Sequence, residues 1–318
     1  MLTLFSGTEI MDQTASAPTE AADPSGDALQ AALPEIRRAK TNGIALSVLA
    51  IVLACIAAWI ATGLKKDAVV WSLMSLVVGA VMVGGIGSWV RGQHERAVMP
   101  IIAQAFGLSY QKSLKTFYDR LPKNFIPLGG RRSVDDMMSG TVADRRFSFA
   151  ECKTETGGKN SSTLFRGVVL EAQSKPGMPE FIIASEKETK GFLFFKGHVQ
   201  VDGMVMVHSM TGPDGQIYGL WATSEDPSRT KGLRMFMDKI LALGPRVLGQ
   251  SSLYSLVSTG STYYVSLRHS RDLFKIGGMF ASEAQVMTDI RAAATEFGYP
   301  VRLVTEILRA EEALVVAS

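Results

Sequence analysis

Two cysteines in 318 residues are too few for a disulfide-built secreted fold or a multi-cysteine zinc module. Lysine and arginine are missing from the first 34 residues, which carry Glu9, Asp12, Glu20, Asp23 and Asp27. That stretch is rich in Ala, Ser, Thr and Pro and poor in aromatics, so it has too little apolar surface to offset the entropy of ordering. A disordered tail is expected over 1–34. No basic segment followed by an early apolar stretch is present, so a signal peptide is not expected.

The most informative absence is charge. Gly43–Leu64 is 22 residues without a charged side chain, and Ala68–Val90 is 23. As helices they would be roughly 33–35 Å long, enough to cross a hydrocarbon core of about 30 Å. A segment in lipid must satisfy its own backbone, which makes helix the expected form. Only Lys65–Lys66–Asp67 separates the runs, so residues 35–93 are predicted to form an antiparallel transmembrane hairpin with spans 43–64 and 68–90. Trp59, Trp71 and Trp89 lie near the ends of these runs, where interfacial anchors belong. Neither run holds an ionisable group, which argues against a proton relay within the hairpin.

Small residues recur at four-residue spacing, as Ala50, Ala54 and Ala58 in the first run and Ala80, Gly84 and Ser88 in the second. Such stripes let backbones approach closely in lipid. The expectation is that both stripes pack the hairpin against itself; the alternative is that the second builds a homo-oligomer. Arg37, Arg38, Lys40, Arg91 and Arg96 flank the hairpin, against Lys65 and Lys66 in its turn. Five against two favours both termini and the soluble part in the cytoplasm, on a multi-pass membrane protein.

Residues 94–318 carry 27 basic and 23 acidic side chains. That excess is too mild and too spread out for nucleic-acid binding. Residues 94–122 are expected to be a helical juxtamembrane segment, with one helix over His94–Phe106 and a second over Leu114–Leu121. Pro100 either kinks the first helix or marks its start. Residues 123–310 are expected to form the soluble domain, followed by a tail at 311–318.

Alternating or β-branched runs predict strands at Met137–Ala143, Arg146–Cys152, Thr163–Ala172, Phe181–Ala184, Gln200–Val207, Ile217–Thr223, Tyr254–Ser258 and Tyr263–Leu267. Asp144–Arg145 is the expected turn of the first hairpin. Helices are predicted from Asp226 or Ser228 to Leu243, from Ser282 to Phe297 with a stop at Gly298 and Pro300, and over Val301–Leu308. Strands cluster rather than alternate with helices, so the fold class is α+β: a transmembrane helical hairpin followed by a mainly antiparallel-sheet domain.

The chain resembles an uncharacterised bacterial family of two-helix membrane hairpin proteins with a C-terminal soluble domain. The resemblance rests on Met99–Pro100 with Phe106–Gly107, on Ser139–Gly140–Thr141–Val142, and on Phe147–Ser148–Phe149–Ala150–Glu151. It continues through Phe165–Arg166–Gly167–Val168–Val169, Leu220–Trp221–Ala222–Thr223–Ser224–Glu225–Asp226 and Asp272–Leu273–Phe274. It implies an inner-membrane protein and, as a partner, small membrane proteins of the LemA type. It implies no catalytic residues.

No catalytic, cofactor or metal residues are assigned from the sequence. Gly157–Gly158–Lys159–Asn160 lacks the Ser/Thr and the first Gly of a phosphate loop. His94, His198, His208 and His269 show no ligand spacing. Cys152 lacks a recognisable base, and no GxSxG elbow is present. Asp135–Asp136 reads as a solvated turn. Arg131, Arg132, Arg145 and Arg146, with Lys112, Lys115 and Lys123, form the only basic concentration. They are expected to face the anionic membrane surface, each contributing roughly 1 kcal/mol. The function expected is a membrane-anchored cytoplasmic interaction or scaffold module that binds a protein partner or the membrane surface. The alternative is a membrane-tethered hydrolase acting on a membrane-derived substrate.

Overall fold

The computed structural model describes residues 26–316 except 64–67, 115, 124, 159–160, 191–198, 200, 202, 224–226, 244–247, 250 and 271–272. Helix α1 (Gly26–Thr62) and helix α2 (Ala68–Ala105) form an antiparallel pair. The Ser72 hydroxyl donates to the Ala58 carbonyl near the turn, and His94 lies against Ile36 at the other end. Helix α1 begins at Gly26, inside the segment expected to be disordered. The physical reason is that Ala32, Ile36 and Ala39 are buried, an apolar stripe that the average composition of the tail hides. Residues 1–25 lie outside the described residues.

Helix α2 runs unbroken from the second apolar run through the juxtamembrane segment to Ala105. Pro100 lies inside the helix. Pro100 and Arg96, whose carbonyl loses its partner, are both exposed, so that carbonyl has access to water. The second juxtamembrane helix is also corrected. A single 3-10 turn at Tyr118–Arg120 stands in its region, preceded by strand β1 (Ser109–Gln111).

The expected α+β class holds. Strands β2 (Arg131–Val142), β3 (Arg145–Glu155), β4 (Thr163–Gln173), β5 (Glu180–Ser185), β6 (Val205–Thr211), β7 (Ile217–Ala222), β8 (Ser252–Thr259) and β9 (Thr262–Arg268) join β1. The nine strands make one sheet in the order β1-β2-β3-β4-β9-β8-β5-β7-β6, every pair antiparallel. The β2–β3 turn falls on Ala143–Asp144, one residue earlier than expected, with φ of 49° and 58°, the backbone of a tight hairpin turn. Helix α3 (Glu186–Lys190) is short.

Period-two alternation gives the sheet two buried faces. One face, including Phe149, Leu170, Phe181 and Val265, packs against the end of α2, α4 (Pro227–Leu241) and α5 (Glu283–Val316). The other face, including Ala150, Cys152, Phe165 and Val169, is covered by Phe117, Tyr118, Phe125 and Ile126 from the β1–β2 connection. Helix α5 is one element where two helices and a tail were expected. Its Gly298 and Pro300 do not stop it, because Val301, Leu303, Val304, Ile307, Leu308 and Leu314 are buried beyond them. Each such side chain contributes roughly 1.5–3 kcal/mol, together well above the ~3 kcal/mol that proline costs a helix.

Candidate functional site

The inner face of α1 is formed by small side chains at three- and four-residue steps. Gly43, Ser47, Ala50 and Ala61 are buried, with Ala54 and Ala58 half-buried between them. The first stripe therefore lies on the inner side of the hairpin. The second does not: Ala80, Gly84 and Ser88 are exposed, and the α2 residue opposite Ala54 is Gly79. A Cβ added at Gly79 would lie 2.7 Å from the Ala54 Cβ, whereas one at Gly84 would meet nothing within 4 Å. Gly79→Leu is thus expected to force α1 and α2 apart and Gly84→Leu to leave them paired. Cysteine crosslinking between Ala58 and Ser72 positions would read the difference. Trp59, Trp71 and Trp89 are all exposed on the helix surfaces.

The structure does not bring the four arginines together. Arg131 pairs with Glu155 and Arg132 with Thr154, while Thr141 pairs with Arg146 and Val142 with Arg145. Eight to ten residue steps of β3 separate the two groups, about 26–33 Å of strand. Lys112 ties Glu95 of α2 to Asp136, and Leu108, just after α2, packs on Gly140 further along β2. Strand β2 therefore runs in the same direction as the end of α2. Arg131 and Arg132 lie at the end nearer the hairpin, and Arg145 and Arg146 at the far end. Arg145 is engaged there with buried Glu311. A single four-arginine face is excluded by this register, which no local sequence signal displays.

Asp136 is not in a solvated turn. It is buried, sits at the irregularity in β2 with φ of 53°, and accepts from the Tyr110 hydroxyl at 2.7 Å and the Lys112 ammonium at 3.1 Å. Burial pulls the Lys112 ammonium down, but Asp136 and Glu95 outweigh it and the net shift is upward. Burial, reinforced by Asp136, raises the Tyr110 phenol. These groups lock α2 to the sheet.

His94 completes the same joint. It is fully buried, with Nε2 3.3 Å from the Ile36 carbonyl oxygen and Nδ1 without a hydrogen-bond partner. Burial lowers its pKa, and the Lys40 charge adds to the effect. A histidine depressed below its ordinary 6.5 binds its proton more readily in the unfolded chain. Its contribution to stability is therefore present above about pH 6.5 and declines as pH falls toward the folded value. Melting curves across pH 7.5 to 5 should show a steeper loss for the natural chain than for His94→Gln.

The remaining motifs resolve simply. Cys152 is fully buried, and burial drives its thiol pKa upward, which makes it a poor nucleophile. His208 approaches Asp238 at 4.0 Å; His198 lies outside the described residues, as do Lys159 and Asn160. The loop around Gly157–Gly158 is closed by Thr156 donating its backbone N–H to the Ser162 carbonyl, as a hairpin loop. Among the described residues no group of three His, Cys, Asp or Glu side chains could hold a metal ion.

Sequence reasoning missed a groove of about 240 Å³ between the end of α4, α5 and the starts of β7 and β8. Ile240, Leu241, Leu243, Leu248, Leu253 and Leu303 make its walls, with Asp214 and Tyr218 at its polar rim. The Tyr218 hydroxyl lies 2.8 Å from Asp214 Oδ2 and 3.0 Å from the Leu253 carbonyl oxygen. The groove draws on residues from Pro213 to Leu303, so no contiguous motif announces it. An adjoining cleft of about 50 Å³ shares Leu248 and Ser251 and is lined by His269 and Glu296.

No protein-family model matches the chain, and no curated protein matches it. Among solved structures, the crystal structure of the mycobacterial trehalose monomycolate transport factor A, TtfA, is similar at a TM-score of 0.39 and 12% identity. The match covers 68% of this chain and 95% of that one. Overlap at that level carries no functional argument.

Proposed function

We propose that the protein is a two-span membrane protein whose hairpin holds an α+β interaction module at the cytoplasmic face of a bacterial inner membrane. The observation that supports this most strongly is where bare apolar surface lies. Of 26 large hydrophobic side chains exposed among the described residues, 21 fall on α1 and α2 between Ile44 and Trp89. A core helix hides such a surface against protein. Here the most apolar windows of the two helices are only 22% and 6% buried. Apolar area left in water costs roughly 25 cal/mol per Å², and lipid removes that cost. The flanking positive charges favour cytoplasmic termini.

The module's binding surface is the groove lined by Leu241, Leu243, Leu248 and Leu253, which fits an apolar segment of a protein partner with a donor for Asp214. The outward Ala80–Gly84–Ser88 stripe offers a second copy, or a membrane partner of the LemA type, close approach within the bilayer. Arg131 and Arg132 supply the membrane-surface contact that four arginines were expected to make. The tethered-hydrolase alternative could draw on His269 and Glu296, which line one cleft, but its volume of about 50 Å³ has room for water rather than substrate.

The reading predicts that the full chain resists alkaline carbonate extraction and that a periplasm-only reporter fused after Ser318 is inactive. A photoreactive residue at half-buried Leu243 should give a discrete crosslinked product in membranes. Extraction by carbonate would refute the anchor; a bright reporter would reverse the topology.

A further inference from the structure

Between β9 and α5 the chain descends alongside α1. Glu283, at the start of α5, forms a two-point ion pair with Arg37, with contacts of 2.7 and 3.0 Å. Two residues earlier, the Ala281 carbonyl accepts from the Lys40 ammonium at 2.9 Å. Two residues earlier again, the Met279 sulfur accepts from the Ser47 hydroxyl at 3.2 Å and packs beside Gly43. The partners step from Arg37 to Lys40 to Ser47, about 15 Å down the helix axis. The last of them is inside the uncharged run that begins at Gly43.

The lowest point of this descent is a tight turn, in which the Ala281 N–H donates to the Gly278 carbonyl at 3.1 Å. Its two central residues behave oppositely. Met279 is buried between the helices, while Phe280 is 79% exposed. The other exposed large hydrophobics of the soluble domain, Val205, Met206, Ile217 and Met235, are at most 50% exposed. The turn is held firmly. Gly277 donates its N–H to Asp289 at 2.9 Å, and the Ser282 hydroxyl caps the start of α5 by accepting from the Gln285 N–H at 3.1 Å. A bare phenyl ring on a rigid turn is unfavourable in water. At the depth of Gly43–Ser47 it would meet lipid headgroups and the first acyl carbons instead.

We infer that the Gly278–Ala281 turn is a third membrane contact, with the Phe280 ring seated in the bilayer interface beside the first turns of the α1 span. The inference rests on the proposed membrane anchoring and adds to it. The hairpin alone would leave the domain free to rock over the bilayer, whereas a contact at Phe280 fixes which side of the domain faces lipid. The occupant of this surface is the same bilayer that the hairpin crosses.

The test uses the full chain carrying Cys55→Ala and Phe280→Cys, with an environment-sensitive fluorophore on the new thiol. Cys152 is buried and stays unlabelled in the folded protein. The reference carries Cys55→Ala and Arg309→Cys, an exposed position near the far end of α5. Both are reconstituted in vesicles of phosphatidylethanolamine and phosphatidylglycerol. Emission from position 280 is expected to shift to shorter wavelength and to be quenched by lipid bearing a nitroxide near the headgroup, with neither effect at 309. A second measurement, quenching of Phe280→Trp by brominated lipid beyond that of the natural chain, guards against a label artefact. If the chain resists carbonate but positions 280 and 309 behave alike, the third contact is wrong and the anchor stands. If carbonate releases the chain, both fall together.

Discussion

Glu311→Ala is expected to lower the unfolding free energy of the soluble domain by about 3–5 kcal/mol, the usual cost of breaking a buried ion pair from one side. Glu311 is fully buried. It binds the Arg145 guanidinium, accepts from the Lys175 backbone N–H at 2.6 Å, and lies 3.4 Å from the Tyr263 hydroxyl. One carboxylate thus ties the last turns of α5 to the start of β3, to the connection after β4 and to β9. Removing it strands Arg145, which is itself largely buried. Against a total stability of about 5–15 kcal/mol for a domain, that is a large fraction. Glu311→Gln keeps an acceptor for the Lys175 N–H and should lose less. Urea titration of the two variants checks the order, and an alanine variant within about 1 kcal/mol of the natural chain would contradict the assignment.

Gly167→Val is expected to cost about 3 kcal/mol, near the lower end of the range for Glu311→Ala. Gly167 sits in β4 opposite Arg268 of β9. A Cβ there would overlap the Leu267 carbonyl oxygen, at 1.8 Å, and crowd the Phe165 ring at 2.8 Å. The obstacle is mostly backbone, so relief requires opening the β4–β9 pairing at the centre of the sheet. Overpacked cores lose about 1–3 kcal/mol and occasionally more, and backbone displacement belongs at the upper end. Gly92→Ala supplies the contrast. It is helical and has nothing within 4 Å of the added atom, so it should gain roughly 0.5–1 kcal/mol. Thermal unfolding of the two variants should therefore move in opposite directions.

These two positions show what the sequence could and could not reveal. The hairpin was legible because absence of charge over more than 20 residues has few physical explanations. Most strands of the sheet were legible because alternation is local. Gly167 was visible within Phe165–Arg166–Gly167–Val168–Val169, but its reason, a carbonyl on a strand about 100 residues away, was not. Glu311 looked like part of a tail because its partners, Arg145, Lys175 and Tyr263, are spread along the chain. Gly298 and Pro300 looked like a stop because local propensity is readable and tertiary burial is not. Three-residue β1 leaves no periodic signal, and the groove is assembled from segments brought together only by folding. The arginine pairs misled for the same reason: proximity in sequence placed Arg131–Arg132 and Arg145–Arg146 on opposite ends of one hairpin.

Helix α2 runs from its exposed apolar stretch into the packed core without a break, and Lys112, Asp136 and His94 clamp it where it arrives. With the anchoring proposed above, any tilt the span adopted to match a thicker or thinner bilayer would be handed on to the whole body of strands, as a mast passes the roll of a hull to its rigging. The outer surface of the domain would then move with membrane thickness.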